Sequence, residues 1–345
     1  MHPGIAAALS AALLFGAGTP LAKQLLAQVS PWLLAALLYL GSGLGLWVLR
    51  RMRASPAVHL SRTDKGWLIG AIISGGIIAP VLLMQGLAAM PASGAALLLN
   101  AEGVFTALLA WFVFKENLNR RVAFGMAAIV VGAAVLSWPG EVRFAGIWPA
   151  LAVLGACFAW GVDNNLTRKV ALADATFIAM SKGLAAGFTN LILALSLGAV
   201  LPPLSAAAGA ALVGFLSYGA SLVLFVIALR HLGSARTGAY FSVAPFFGAL
   251  LAIVLFHEAI TAPLLVAGAL MALGIWLHIS ERHHHLHTHS PLTHTHEHTH
   301  DGDTHHMHSH EPAVPAGTRH SHSHQHEVIT HDHEHYPDAH HGHSH

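Results

Sequence analysis

Charge is scarce in this chain, and the scarcity excludes a soluble body. Only 10% of its 345 residues are Asp, Glu, Lys or Arg, where soluble domains carry about 25%. Cysteine is nearly absent: Cys157 stands alone, so no intramolecular disulfide can form and the redox compartment is undetermined. The first apolar stretch has no basic region before it, only His2, which separates it from a secretory leader. No nucleophile–base pair, phosphate-binding loop or closed Cys/His metal site is present, so an enzyme is not expected. A net charge of +1 gives no general attraction to nucleic acid.

Apolar sequence fills the chain instead. Hydrophobic residues make up 54% of it, and about 20 such residues suffice to cross a bilayer as a helix. Ten spans are predicted, at roughly 4–25, 31–49, 67–88, 92–114, 121–138, 145–167, 176–199, 207–229, 236–256 and 262–280. Turn residues such as Pro139-Gly140 and Pro202-Pro203 mark connections. With the N-terminus inside, fourteen Lys and Arg fall on the cytoplasmic side, among them Arg50, Arg51, Arg120, Arg121, Arg168 and Lys169. The opposite side receives Lys23 and Arg143. The positive-inside rule then places both termini in the cytoplasm, in a bacterial-type cytoplasmic (inner) membrane.

The chain also repeats itself. A shift of 142 residues lays Ala107-Leu108-Leu109-Ala110 on Ala249-Leu250-Leu251-Ala252, and Phe105, Phe114, Glu116 and Gly132 on Phe247, Phe256, Glu258 and Gly274. A shift of 143 lays Phe15 and Gly18 on Phe158 and Gly161. Five spans per copy is an odd number, so the copies have opposite orientation, a common architecture of secondary transporters. The run from Pro91 through Phe105 to Phe114-Lys115-Glu116, echoed at Phe256-His257-Glu258, resembles the EamA-type repeat of the drug/metabolite transporter superfamily. The resemblance covers residues 4–280 and implies ten helices around a central cavity that opens alternately to each side. Trp160 to Lys169, joined to a histidine-rich tail, resembles the nickel–cobalt resistance exporters of that superfamily.

Polar groups inside spans are the candidate transport site, because a charge at the bilayer centre costs about 2.5–3.5 kcal/mol on insertion scales. Glu102 lies near the middle of the fourth span, with Asn100 two residues before it. A lone carboxyl there suits a metal or proton site, or a protonated group bonded to a neighbouring helix. Asp163, Asn164 and Asn165 bring consecutive oxygen ligands near the cytoplasmic end of the sixth span, and Lys182 lies at similar depth in the seventh. An Asp163–Lys182 ion pair and metal ligation by Asp163 are both open. Helical spacing aligns Asp163 with Trp160 and Thr167, and Asn164 with Cys157. Gly103 and Pro245 occupy equivalent positions, and Pro245 should weaken the ninth span and free the carbonyl of Phe241. Pro20 and Pro80 are further kink candidates. Glu116 and Glu258 are expected as helix-end contacts, and His231, His257, His278 and Cys157 as structural residues.

Histidine dominates the last 65 residues. The clusters are His283, His284, His285, His287, His289; then His294, His296, His298, His300; then His305, His306, His308, His310. They continue as His320, His322, His324, His326; then His331, His333, His335; then His340, His341, His343, His345. Neutral imidazole binds Ni²⁺, Co²⁺, Zn²⁺ or Cu²⁺, and the lack of thiols argues against soft ions. Low apolar content predicts a disordered tail.

The expected fold is therefore an all-α integral membrane protein of ten transmembrane helices in two inverted five-helix repeats. The repeats cover 4–140 and 143–280, followed by a disordered His-rich tail at 281–345. The expected function is export of nickel and cobalt from the cytoplasm by proton antiport, the choice of metal being implied by the resemblance. The alternatives are export of an amino acid or other small metabolite with a metal-responsive tail, and a non-transporting metal sensor or store. No cofactor is expected. The partners are lipid, divalent metal ions and protons, with a homodimer open and nucleic acid excluded.

Overall fold

The computed structural model describes residues 3–55, 57–58, 60–114, 120–137, 144–170, 173–279, 284–288, 292–298, 320–326 and 330–334. The chain divides into two units, Met1–Glu281 and Arg282–His345. The first unit is helical throughout its regular structure. It holds α1 (Pro3–Leu25), α2 (Pro31–Met52), α3 (Arg62–Ala71), α4 (Ala79–Ala88), α5 (Ala92–Leu98), α6 (Ala101–Phe114) and α7 (Arg120–Ser137). Then follow α8 (Phe144–Arg168), α9 (Ala175–Ser196), α10 (Leu204–Val213), α11 (Ser221–Phe241), α12 (Ala244–Phe256) and α13 (Ala262–Ile279).

Among the described residues, seven helical segments are long and apolar enough to cross a membrane: Gly4–Leu25, Pro31–Met52, Arg62–Ala88, Ala92–Val113, Ile147–Arg168, Ala175–Ser196 and Leu204–Ala228. Shorter apolar helices, Ala123–Val135, Ala244–Phe256 and Ala262–Leu277, stand where the sequence places its fifth, ninth and tenth spans. Phe112, Phe124, Leu204 and Leu250 are 68, 70, 85 and 62% exposed. Such a surface would aggregate in water but is the natural outside of a helix bundle in lipid. The protein is thus a multi-pass membrane protein.

Local chemistry starts several helices where they start. Pro31 occupies the first turn of α2 after Ser30, where its missing N–H costs nothing. Ser61 and Asp64 form a reciprocal capping box on α3. Asp174 accepts from the Phe177 N–H at 2.6 Å to cap α9, and its carboxylate also pairs with Arg50 from the end of α2. Close packing inside the bundle relies on small residues, as at Gly43 and Gly183, where any Cβ would strike the backbone of the facing helix.

Two features mark the repeat in the backbone itself. Ile72–Ile78, between α3 and α4, forms a π-helical turn, and Gly214–Ala220, between α10 and α11, forms another. They lie 142 residues apart, the offset at which the sequence repeats. The fourth span breaks at Leu99–Asn100 between α5 and α6, and the ninth at Ser242–Val243 between α11 and α12, within about one residue of the same offset.

The Phe225 and Phe241 rings are 4.9 Å apart, whereas a straight helix would separate them by about 24 Å. The chain therefore folds back within α11.

Pro245 differs from expectation. It falls in the first turn of α12, where no intrahelical partner is lost. The break precedes it at Ser242–Val243, so the proline fits the interruption and does not itself cause a kink.

The tail unit also departs from the disordered segment expected. It contains β1 (His284–Thr288) paired antiparallel with β4 (Thr330–Glu334), and β2 (Leu292–His298) paired antiparallel with β3 (His320–His326). The physical reason is the period of two in His-x-His sequence, which matches a strand, together with backbone pairing that needs no apolar core. The register sets His294 opposite His324, His296 opposite His322, and His298 opposite His320. His283, His289, His300, His305, His306, His308, His310, His335, His340, His341, His343 and His345 lie outside the described residues, as do Glu116 and Arg143.

Candidate functional site

The π-helical turn at Ile72–Ile78 stands behind the site and holds side chains that line it. Pro80 has no N–H to give the carbonyl of Gly76, four residues back, and the wider turn also releases the carbonyl of Gly75. Three distant side chains fill these vacancies. Asn190 Nδ2 donates to Gly76 O at 3.1 Å. The Tyr39 hydroxyl donates to Gly75 O at 2.6 Å, and Trp160 Nε1 donates to the same oxygen at 3.0 Å. The freed carbonyls thus lock α2, α8 and α9 around the turn.

Gly75 also makes room. A Cβ at that position would overlap the Asp163 carboxylate. Asp163 and Lys182 are both buried, at 5 and 3% exposure, and are joined as the ion pair that the sequence left open. Lys182 Nζ donates to both Asp163 oxygens at 2.6 Å and to Thr167 Oγ1 at 3.3 Å. The Thr167 hydroxyl donates to Asp163 Oδ1 at 2.8 Å. The alignment of Asp163 with Thr167 along α8 is what this bond requires. Gly75→Ala is expected to push the Asp163 carboxylate out of this arrangement at about 1–3 kcal/mol, typical for overpacking. Thermal unfolding of the purified protein would register it as a lowered midpoint.

Glu102 is the second residue of α6, just past the break in the fourth span. Asn164 Nδ2 donates to Glu102 Oε1 at 2.8 Å and to Thr106 Oγ1 at 3.3 Å. Neighbouring residues on α8 therefore hold the carboxyl and the ion pair.

These groups share a cavity of about 610 Å³, counting its open mouth. Its polar lining includes Glu102, Asp163, Asn164, Lys182, Ser42, Ser217 and Ser221. Six aromatic residues complete it: Phe15, Tyr39, Trp160, Tyr218, Phe225 and Phe241. The rings brace one another, with Phe15 5.9 Å from both Trp160 and Tyr218, and Tyr39 5.4 Å from Tyr218. The lining comes from α1, α2 and α6 of the first half and from α8, α9, the second π turn and α11 of the second half.

Three sequence candidates stand elsewhere. Asn165 turns into the protein, where Nδ2 donates to Thr106 O at 3.1 Å and Gly161 O at 2.9 Å, tying α8 to α6. Asn100 is buried against α13, donating to Leu97 O at 2.9 Å and to Met271 Sδ at 3.6 Å. Pro245 is buried at the start of α12, outside the cavity lining. Cys157, expected as packing, is buried with its thiol toward Leu98 O at 3.6 Å. Among the described residues no three His, Cys, Asp or Glu gather to hold a metal ion. The aromatic lining and the carbonyl-filling Tyr39 and Trp160 were not singled out from sequence. Pro80, with its unsatisfied carbonyl four residues back, was the signal available.

At one end of the bundle the halves are tied together. Glu258 accepts from the N–H groups of Ala92 and Ser93 at 2.9 and 3.1 Å and from the Ser93 hydroxyl, so it caps α5. Lys23 Nζ closes the end of α4, donating to the carbonyls of Leu87, Ala88 and Met90. Glu258 was expected as a helix-end contact, and this is its position.

Comparison with known proteins places this architecture. The model of the EamA-like transporter family matches twice, over residues 2–138 and 147–280. An uncharacterized transporter of Methanothermobacter thermautotrophicus is 28% identical over 292 residues, covering 79% of this chain and 85% of that one. A probable amino-acid metabolite efflux pump of Salmonella typhimurium is 35% identical over 85 residues, 24% of this chain and 27% of that one. A protein of known crystal structure superimposes with a TM-score of 0.63 at 20% identity, covering 79% of this chain and 94% of its own.

Proposed function

The chain belongs to the EamA-like transporter family, and on that footing we propose that it is a secondary exporter of a small organic metabolite, driven by proton exchange at Glu102. The observation that carries this reading is the placement of Glu102, Asp163 and Lys182 in one cavity lined from both halves. Inverted repeats put the substrate site at their interface, beside interrupted helices. Both conditions fit here, since Glu102 directly follows the break between α5 and α6. Six aromatic rings suit a carbon skeleton better than a hydrated cation. The similarity of one segment to a probable amino-acid metabolite efflux pump points the same way. With this function go ten crossings, counting the three shorter helices, and cytoplasmic termini in a bacterial-type inner membrane.

Export of Ni²⁺ and Co²⁺ is a second reading, favoured by the tail. Its 24 histidines would bind a borderline cation on the cytoplasmic side. In the cavity such an ion would find the Glu102 and Asp163 carboxylates and the Asn164 amide. Under the metabolite reading the tail is a metal-responsive regulator instead.

Proteoliposomes with an imposed pH gradient separate the readings. Labelled amino acids and ⁶³Ni²⁺ are offered in turn to full-length protein, to a version ending at Arg282, and to Glu102→Ala. Metabolite flux that stops in Glu102→Ala supports the first reading, and nickel flux that stops there supports the second. The tail gives its own prediction under both. Equilibrium dialysis at pH 7.5 should find several Ni²⁺ bound to the full chain and few to the version ending at Arg282. Most of that nickel should be released below about pH 6, because histidine, with a reference pKa near 6.5, binds metal only when neutral.

A further inference from the structure

We propose that the cavity selects amphoteric solutes, molecules carrying one ammonium and one carboxylate, by exchanging the Asp163–Lys182 pair for two pairs with the solute. The inference rests on the cavity being the transport site. Its starting point is where the ion pair lies. Both members line the cavity, Asp163 from α8 and Lys182 from α9. Two of the three Lys182 protons are spent on Asp163 and the third on Thr167 at 3.3 Å, so the pair is complete without a solute.

Charge balance then decides what can enter. The pair carries no net charge, and it is 4 and 8% exposed at its side chains. A purely cationic solute that drew Asp163 to itself would strand Lys182 as an uncompensated buried charge. A purely anionic one would strand Asp163. An uncharged solute has no use for either group. A zwitterion alone can open the pair and leave both charges matched, its carboxylate on Lys182 and its ammonium on Asp163. Thr167 would keep the Asp163 carboxylate oriented during the exchange, since it hangs on the same helix face. Phe15, Trp160 and Tyr218 stand ready for the remaining carbon body, and an ammonium near their faces gains cation–π attraction.

The test is binding to the purified full-length protein by scintillation proximity and thermal shift. The probes are the neutral amino acids from glycine to tryptophan, each with its amide (cation only) and its N-acetyl derivative (anion only). At least one free amino acid should bind, and its amide and N-acetyl forms should bind at least tenfold more weakly. Lys182→Met should turn the preference toward the amide, and Asp163→Asn toward the N-acetyl form. That reversal cannot come from a merely structural role. Should the single variants fail to fold, Asp163→Asn combined with Lys182→Met removes the pair without stranding a charge, and it should lose the discrimination. Binding of amides or N-acetyl forms equal to the free amino acids would overturn the inference, as would binding by none of the probes. If flux of other solutes still depends on Glu102, the transport assignment survives that failure; if no solute flux depends on Glu102, it falls as well.

Discussion

Lys182→Met is expected to destabilise the protein by about 3–5 kcal/mol, the usual cost of removing one member of a buried ion pair. The variant leaves Asp163 at 5% exposure with, among the described residues, only the Thr167 hydroxyl donating to it. Most of the penalty comes from that stranded carboxylate and little from the lost attraction. Replacing both partners, Asp163→Asn with Lys182→Met, should therefore recover most of the stability, because two neutral groups of similar size fill the same space. Transport should fail in Lys182→Met, in Asp163→Asn and in the double variant. Thermal unfolding of the solubilised proteins measures the first effect, and flux in vesicles the second. A double variant as unstable as the single ones would show that packing, not charge, sets the cost.

The second large effect concerns Glu102. Glu102→Gln keeps an oxygen for the 2.8 Å bond from Asn164, so the fold and the cavity shape should persist. What it removes is the proton that the carboxyl can take and release. Flux driven by a pH gradient should fall by at least tenfold, while exchange of solute for solute across the membrane, which moves no net proton, should continue. Glu102→Ala should be worse in both assays, because Asn164 then retains only Thr106, at 3.3 Å. If Glu102→Gln carries solute up a pH gradient at the normal rate, the coupling proton rides elsewhere.

Sequence revealed the parts of this protein that follow from hydropathy and spacing. The apolar helices and the offset of 142 were legible because lipid permits few alternatives to apolar helices. The Asp163–Lys182 pair was legible as one of two possibilities, since depth in a span can be counted along the chain. The π-helical turns were not. Ile72–Ile78 and Gly214–Ala220 have little composition in common, and one extra residue in a turn leaves no periodic signature. Nor could spacing reveal that Tyr39, Trp160 and Asn190 converge on Gly75 and Gly76, since these partners are 36, 85 and 114 residues away. Asn100 and Asn165 misled for a related reason. Polarity within a span marks a residue as needing a partner, yet a backbone carbonyl on the next helix meets that need as well as a substrate does. Low apolar content predicts a disordered tail, whereas the period of two in its His-x-His runs also matches a strand.

Proton uptake recorded beside solute export, in the same proteoliposomes and against a pH-sensitive dye, tests the central assignment most directly. The expected result is a fixed ratio of protons entering to solute leaving in the wild-type protein, and no solute-dependent proton movement in Glu102→Gln. Solute-linked proton uptake that persists undiminished in Glu102→Gln would contradict it.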